Sequence, residues 1–403
     1  MASAELAAAT PGRSWQPGHR RREQLAGVAA QQFCRLGFHR VSMADVAAAV
    51  GLTAPAIYRH YRNKEDLLAA AIGRALEVVE DALARAQDAD LPEFMATMAE
   101  AAVARRELWI LLQRELRQLS PAQRRPLQER FARIVRPFTA AVGRERPDAS
   151  RPDIGLLTTA VLAAFASASV YRSQLPEREQ QLALAAAATA ACRAHWAAAA
   201  GTGHQGVLAA RSDSGLGFAV DRGAEVLEVA IGLFAARGYQ AVSLDDIGAR
   251  LGMAGPSLLY YYATKADILV AAYDRAGGWL AALRGPAGQV PSLEELAAGY
   301  IDLAARERLL FGVYVWEAVN LPPEAGRRIR AGIEADIGAW CAALAVQRPS
   351  LSAGQRLALV HAARAVVHDV IRLGPWHDRP DITVILRAVT GAVLAAPLEG
   401  QHT

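Results

Sequence analysis

The feature that most constrains this chain is an internal repeat with a spacing of 201 residues. Shifting the 403-residue sequence by that distance aligns residues 33–67 with residues 234–268. A chain with such a repeat is expected to fold as two copies of one structural unit. Identical residues recur at Phe33/Phe234, Gly37/Gly238, Val41/Val242, Ser42/Ser243, Asp45/Asp246, Ala48/Ala249, Gly51/Gly252, Pro55/Pro256, Tyr61/Tyr262, Lys64/Lys265 and Asp66/Asp267.

The repeat extends beyond that segment and includes both lysines of the chain. Glu115 matches Glu317 after a slip of one residue, so whole halves correspond and not a single motif. Lys64 and Lys265 are the only lysines among 44 Lys and Arg residues, and they occupy the same repeat position. Chance is a poor explanation for two lysines at one position in an arginine-rich chain.

Composition favours an all-α fold with a large core. Hydrophobic residues make up 53% of the sequence, and alanine, the best helix former, is abundant. The three cysteines, Cys34, Cys192 and Cys341, lack metal-binding spacing, which favours a reducing, cytoplasmic compartment. No signal peptide is recognisable at the start, and the Ala-rich run 183–191 is too short to span a membrane.

Residues 20–66 carry the local signals of a helix-turn-helix. Ser42 and Thr53 are suitable N-caps for a second and a third helix, and Gly51 can adopt the positive φ of the tight turn between them. Asn63 caps a fourth helix. Two helices joined by a short turn containing glycine form the motif whose second helix enters a DNA major groove. The predicted helices are 20–36, 43–50, 54–60 and one that starts at residue 64.

This region resembles the DNA-binding region of the TetR family. The resemblance implies an all-α protein in which a three-helix DNA-binding region precedes a helical ligand-binding and dimerisation region. One protomer of that family is about as long as half of this chain. The residues that carry the resemblance are Phe33, Gly37, Ser42, Val46, Ala47, Gly51, Thr53, Ile57, Tyr58, His60, Tyr61, Lys64, Asp66 and Leu67.

The chain is therefore predicted to be two TetR-like units in tandem. We call the two helix-turn-helix regions the first head and the second head. The predicted domains are a disordered tail over 1–19, the first head over 20–66, a helical ligand-binding and dimerisation region over 67–200, a linker over 201–220, the second head over 221–267, and a second ligand-binding and dimerisation region over 268–399.

The first head is strongly basic. Between residues 20 and 64, eight cationic side chains face two carboxylates, a balance of +6 that exceeds the +4 of the whole chain. Cationic side chains release counterions from DNA phosphates and so provide affinity without reading sequence. Arg20 to Arg22 either reach into a minor groove or remain unbound.

The resemblance assigns roles to individual residues of the first head. Residues 53–55 and Arg59 would meet bases, and Arg59 is the best bidentate reader of guanine among them. Tyr58 and His60 would contact phosphates or sugars, and Lys64 would hold a phosphate. The residues predicted to contact DNA in this head are Ser42, Thr53, Ala54, Pro55, Tyr58, Arg59, His60 and Lys64.

The second head departs from this pattern. Between residues 221 and 265, four cations face five carboxylates, a balance of −1, and Leu259 replaces the tyrosine found at Tyr58. This head either binds a different half-site weakly or only supports the fold. Its candidate DNA-contacting residues are Ser243, Pro256, Ser257, Tyr260, Tyr261 and Lys265.

Two assemblies are compatible with a tandem chain. The two copies form an internal pseudo-dimer that reads an asymmetric site, or two chains associate as a homodimer. In either assembly, half-sites would lie about 34–36 Å apart or at a multiple of that distance. The resemblance also implies that a bound small molecule shifts the population towards an arrangement with lower operator affinity.

The helical regions offer candidates for an effector pocket. Each candidate side chain also fits ordinary core packing. His361 and His368 lie on one helix face, but a metal site needs more ligands, so no metal and no cofactor is predicted. The candidates for an apolar or aromatic effector are Trp109, Phe165, Tyr171, Trp316, His361 and His368.

Other functional classes find less support. The sequence has no phosphate-binding glycine loop, HExxH or GxSxG motif, which argues against an enzyme. A small-molecule sensor or scaffold with one functional DNA-binding head, or with none, remains the alternative to a DNA-binding regulator.

Overall fold

The computed structural model describes residues 17–171, 173–196, 222–285 and 291–398, which form helices and turns and contain no strand. Residues 1–16 of the predicted tail and the predicted linker 201–220 lie outside the described residues. The helices of the first copy are α1 (Pro17–Leu36), α2 (Met43–Ala49), α3 (Ala54–Ile57), α4 (Lys64–Arg85), α5 (Leu91–Ala104), α6 (Glu107–Ile110), α7 (Pro121–Glu145), α8 (Arg151–Ala166) and α9 (Glu177–Arg193).

The second copy repeats this order with one change. Its third element is a 3₁₀ helix, Gly255–Tyr260, where the first copy has α3. Its α-helices are α10 (Arg222–Arg237), α11 (Leu244–Leu251), α12 (Lys265–Leu283), α13 (Leu293–Arg306), α14 (Arg308–Trp316), α15 (Pro323–Gln347), α16 (Ala353–Arg372) and α17 (Ile382–Leu394).

The same side chains start the second helix in both copies. The Asp45 backbone N–H donates to the Ser42 hydroxyl at 3.1 Å, and the Ser42 N–H donates to the Asp45 carboxylate at 2.8 Å. Ser243 and Asp246 make the same capping box, at 3.0 Å and 2.8 Å. Each box satisfies two backbone donors that a helix start would otherwise leave unpaired.

Most sequence-based helix boundaries agree with the structure, and the all-α tandem architecture is confirmed. The third helix is shorter than predicted, because residues 58–60 form turns after α3 instead of extending it. Residues 111–115 form a π turn directly after α6.

The chain forms two compact units. The first consists of Met1–Val78 and Glu107–Phe131 and contains the first head. Its core is apolar: Phe33, Ile57, Leu67 and Ile72 are fully buried. The second unit consists of Val79–Arg106 and Ala132–Thr403 and contains the second head.

Within the second unit, the last two helices of each copy pack on one another. Helix α8 packs against α16, and α9 packs against both α16 and α17. At one edge, the Arg379 guanidinium donates to the Asp153 carboxylate at 2.6 Å. Four helices contributed by two copies thus form a single interface inside one chain.

Residues 151–169 are long and apolar enough to cross a membrane by length and composition alone. Their packing accounts for that composition, because Leu156, Leu157, Ala160 and Val161 are fully buried against neighbouring helices. The segment is therefore explained as a core helix of the fold.

A close approach in this interface yields a test of the packing between copies. A Cβ on Gly155 of α8 would lie 2.8 Å from the Trp376 ring, whereas a Cβ on Gly338 of α15 would meet nothing within 4 Å. Glycine in a helix costs about 1 kcal/mol relative to alanine. We expect Gly338→Ala to raise thermal stability, and Gly155→Ala to lower it by about 1–3 kcal/mol through overpacking. Equal stabilisation in both variants, measured by calorimetric unfolding, would contradict this packing.

Candidate nucleic-acid interface

The helix-turn-helix of the first head forms as its sequence predicts. Gly51 adopts φ 72°, a left-handed conformation that favours glycine, at the turn after α2. The Leu52 N–H donates to the Ala47 carbonyl at 2.9 Å and closes that turn. In the second head, Gly252 occupies the same turn with φ 66°. Local geometry at the turn is therefore the same in both heads.

Most of the predicted DNA-contacting side chains of the first head are accessible. Tyr58 is 56% exposed, Arg59 is exposed, and His60 is half-buried. Ser42 is exposed at the start of α2 although it also caps that helix. The three residues that open α3, Thr53, Ala54 and Pro55, are exposed as well.

Lys64 makes contacts within the first head that the sequence did not predict. Its ammonium donates to the Phe38 and Val41 carbonyls, each at 3.0 Å, and lies 4.3 Å from the centre of the Phe38 ring. Partial burial lowers the pKa of Lys64. Two of its three N–H donors are thus used within the head. The phosphate contact of this side chain stays a prediction.

Lys265 makes the same contacts in the second head. Its ammonium donates to the Tyr239 and Val242 carbonyls at 3.0 Å and 2.8 Å, and lies 4.2 Å from the Tyr239 ring centre. Its pKa is also lowered by burial. A compact ammonium with three donors fits two converging carbonyls over an aromatic ring, whereas the planar guanidinium of arginine does not match that geometry. This explains why the two lysines occupy one repeat position.

A buried ion pair packs against the C-terminal end of α1 in the first head, and the sequence analysis did not predict it. The Arg114 guanidinium donates to the Phe33 and Cys34 carbonyls at 2.8 Å and pairs with Glu115 at 2.6 Å. The Glu115 carboxylate also accepts from the Phe38 N–H at 3.3 Å. The match of Glu115 with Glu317 in the repeat was the available signal for this site.

The second head has the same backbone fold as the first and differs from it in the charged and exposed side chains of its surface. Arg237 pairs with Asp246 at 3.0 Å and Arg222 pairs with Glu225 at 2.6 Å, so two of its four cations are already neutralised. The side-chain and backbone hydrogen bonds from Ser243, together with the pairing with Arg237, lower the pKa of Asp246. Tyr260 is 87% exposed and Leu259 is 47% exposed. The other candidate residues of this segment, Pro256 and Ser257, are exposed, Ser243 is exposed, and Tyr261 is half-buried.

The six side chains predicted to line an effector pocket are distributed over several places. Trp109 packs against Phe131 in the first unit. In the second unit, Phe165 packs against Phe138, and Tyr171 stacks on His361 with ring centres 4.1 Å apart. These contacts are ordinary core packing.

The remaining two candidates lie beside Arg372. Trp316 lies 5.1 Å from the Arg372 guanidinium, and His368 lines a cavity of only about 10 Å³. Burial holds the pKa of His368 well below its usual value, so its ring is neutral. No group of three metal-ligating side chains occurs in the part of the chain that the structure describes.

Comparison with known families bears on both heads. The family model described as "Bacterial regulatory proteins, tetR family" matches residues 27–71 and residues 226–272. The chain is a tandem TetR-like regulator. Both matches lie on the helix-turn-helix regions, and proteins of this family are DNA-binding transcriptional regulators and not enzymes.

Solved structures of TetR-family regulators match about half of this regulator each. A protein from Bordetella parapertussis 12822 is 16% identical with a TM-score of 0.40, and covers 46% of this chain and 100% of its own. One from Rhodococcus RHA1 is 22% identical with a TM-score of 0.38, covering 44% and 97%. The ketosteroid regulator KstR2 of Mycobacterium tuberculosis is 19% identical with a TM-score of 0.39, covering 44% and 96%.

The contacts of Lys64 generate a prediction that separates its two roles. We expect Lys64→Met to lower the free energy of unfolding of the first unit by about 1–3 kcal/mol, because two carbonyls lose their donor. The exposed Arg62→Met variant serves as control and should stay within about 0.5 kcal/mol of the original. Chemical denaturation would measure both. A fully stable Lys64→Met variant with a reduced salt dependence of DNA binding would favour the phosphate role instead.

Proposed function

We propose that the regulator is a ligand-responsive repressor that binds operator DNA chiefly through its first head. The observation that carries the proposal is the exposed recognition segment of that head within a region of net charge +6. Positive charge of this density provides affinity for phosphates, and the exposed Arg59 provides a donor pair for a guanine edge. Such a protein would act in the cytoplasm, where its operator lies.

The packing of α8 and α9 on α16 and α17 supports an internal pseudo-dimer. In the proposed assembly, one chain supplies both heads, and the operator is asymmetric because the heads differ. The second head would add contacts through hydroxyl groups, namely those of Ser257 and Tyr260, with little charge-driven affinity. The effector would bind a helical region and favour an arrangement with lower operator affinity.

The balance of −1 in the second head favours a second candidate function, a sensor in which only one head touches DNA. The two functions differ in the operator that they select. A chain that reads with both heads should enrich DNA fragments with two constrained half-sites, and a chain that reads with one head should enrich fragments with a single half-site.

Base reading by the first head can be tested with a matched pair of arginines. We expect Arg59→Ala to weaken binding to the enriched operator by about 1–3 kcal/mol and to relax preference at one base position. Arg62→Ala removes the same charge three residues later, so it should weaken binding to all sequences similarly and reduce the salt slope by about one. Competition binding on operator and random duplexes measures both effects. Identical behaviour of the two variants would remove Arg59 from base reading.

Stoichiometry tests the internal pseudo-dimer. We expect one chain per operator duplex when complexes are weighed by native mass spectrometry, because the four-helix interface is already completed within the chain. The free protein should be monomeric at the same concentration. A complex with two chains per duplex at every ratio of protein to DNA would favour the homodimer instead.

A further inference from the structure

The second copy contains a cavity that none of the six candidate side chains above lines. It has a volume of about 260 Å³ and lies between α12, α14 and α15. Its walls include the aromatic rings of Tyr273 and Tyr314 and the aliphatic side chains of Leu280 and Ile329. Concave, mostly apolar sites with a few polar groups are typical of small-molecule binding.

The two tyrosines of this wall differ in their contacts. The Tyr273 hydroxyl bonds to the Val313 and Tyr314 carbonyls at 3.0 Å and 2.9 Å. Tyr314 is 7% exposed and its side chain lines the cavity. A phenol hydroxyl that faces a cavity can donate a hydrogen bond to a group that enters it.

Three glycines create the space. Gly277 and Gly278 lie on α12 and Gly332 lies on α15, all lining the cavity, and a Cβ on any of them would meet no atom within 4 Å. Glycine in a helix interior is unfavourable by about 1 kcal/mol relative to alanine. Three such positions around one cavity therefore carry a cost that close packing does not explain.

The first copy has large side chains at the matching positions of its fourth helix. Lys64 and Lys265 start α4 and α12, so Gly277 and Gly278 correspond to Leu76 and Glu77. Leu76 is fully buried. Where the second copy leaves room along this helix, the first copy has a packed core.

The seventh helix shows the same difference. Helices α7 and α15 start at matching prolines and have equal lengths, so Gly332 corresponds to Arg130. The Arg130 guanidinium lies against Gly73 of α4, with one nitrogen 3.4 Å from the position of a Cβ there. The first copy thus has larger side chains at the sequence positions where the second copy has the three glycines of the cavity.

The charges at this cavity favour an anion. Arg328 is held by Asp274 through two hydrogen bonds of 2.6 Å and 3.0 Å, and both side chains are exposed. Arg284 makes only a long hydrogen bond of 3.4 Å to the Gly332 carbonyl, which leaves most of its donors for a ligand. The side chains that line the cavity thus carry one more positive charge than negative charge.

Arg284 and Tyr314 both line the cavity. Burial raises the pKa of Tyr314 to about 12, against a lowering contribution from Arg364 and a smaller one from Arg284. The phenol therefore stays neutral and can donate a hydrogen bond. A guanidinium and a neutral hydroxyl donor together form a suitable site for a carboxylate.

We propose that this cavity is the effector site and that its ligand is an amphipathic monocarboxylic acid. The carboxylate is held by Arg284 and the Tyr314 hydroxyl, and the apolar body lies between α12 and α15 over the three glycines. This inference rests on the proposed function, and it assigns effector sensing to the second copy. Helix α12 begins at Lys265 in the second head. A ligand that packs against α12 therefore contacts the helix that connects the cavity to that head.

The test uses the full chain and calorimetric titration with octanoate, decanoate and 4-phenylbutyrate. The alcohols of the same carbon skeletons serve as uncharged controls. We expect at least one acid to bind with a stoichiometry of one per chain, and each alcohol to bind at least about tenfold more weakly than its acid. Operator binding should weaken when that acid is present, and the acid should bind the operator complex less tightly by the same factor.

Variants locate the site. Gly277→Leu introduces the residue of the first copy and should reduce acid affinity about tenfold or more by filling the cavity. Gly338→Leu is its control, since this glycine also has open space around it but does not line the cavity. Arg284→Gln should weaken the acid and leave the alcohol unchanged, which a merely structural effect would not do.

The outcomes separate this inference from the proposed function. Absence of binding by all three acids, equal binding of acid and alcohol, or unchanged binding in Gly277→Leu would each overturn the effector site. None of these outcomes affects operator binding by the unliganded chain, which is measured separately. Loss of operator binding in the unliganded original chain would overturn the proposed function, while the calorimetric titration would still report on the cavity.

Discussion

The contact between one lysine and two backbone carbonyls organises each head. Lys64 and Lys265 each start the fourth helix of their copy, and each ammonium closes the 3₁₀ turn that follows the first helix. That turn leads directly into the capping box at the start of the second helix, so the lysine fixes the approach to the DNA-reading elements. The rest of the head can vary in charge as long as this contact persists, and the second head shows such variation.

The two copies share one helical fold and differ in the charge of the head and in the packing of the helices behind it. The first head has a surplus of positive charge, while the helices behind the second head leave an open volume beside Tyr314. In the first copy, Leu76 and Arg130 occupy the positions that match two of the glycines of the cavity, and Leu76 is fully buried. Tight packing gives a rigid support to the head that carries most of the charge. A looser core suits a region whose conformation responds to a small molecule.

The sequence predicted the fold well because its strongest signals are local and occur twice. Ser42, Gly51 and Asn63 each mark a helix start or turn through their own backbone chemistry, and the structure has each of them there. Tyr58 and Arg59 are exposed, although they lie in the turns after α3 and not within a helix. The contacts of Lys64 were not predictable from that pattern, because its partner carbonyls lie more than twenty residues earlier in the chain.

The cavity was harder to predict than the heads. Sequence reasoning selected large aromatic residues such as Trp109 and Phe165, whereas the open space depends on glycines that contribute no side chain. A cavity exists where the surrounding side chains leave space, and here that space depends on the side chains of three helices at once. Comparing the copies position by position, with Gly332 opposite Arg130, was the signal in the sequence that could have revealed it.

The joining of α8 and α9 to α16 and α17 within one chain changes how the amount of protein relates to promoter occupancy. A regulator assembled from separate protomers must first associate, so its active fraction falls steeply as a cell dilutes it during growth. In the proposed pseudo-dimer the partner is covalently attached, so occupancy would follow the number of chains linearly, even at a few molecules per cell. Fusion also allows the two halves to differ in sequence, because a mutation then alters one head and not both. The two half-sites of the operator can therefore change independently.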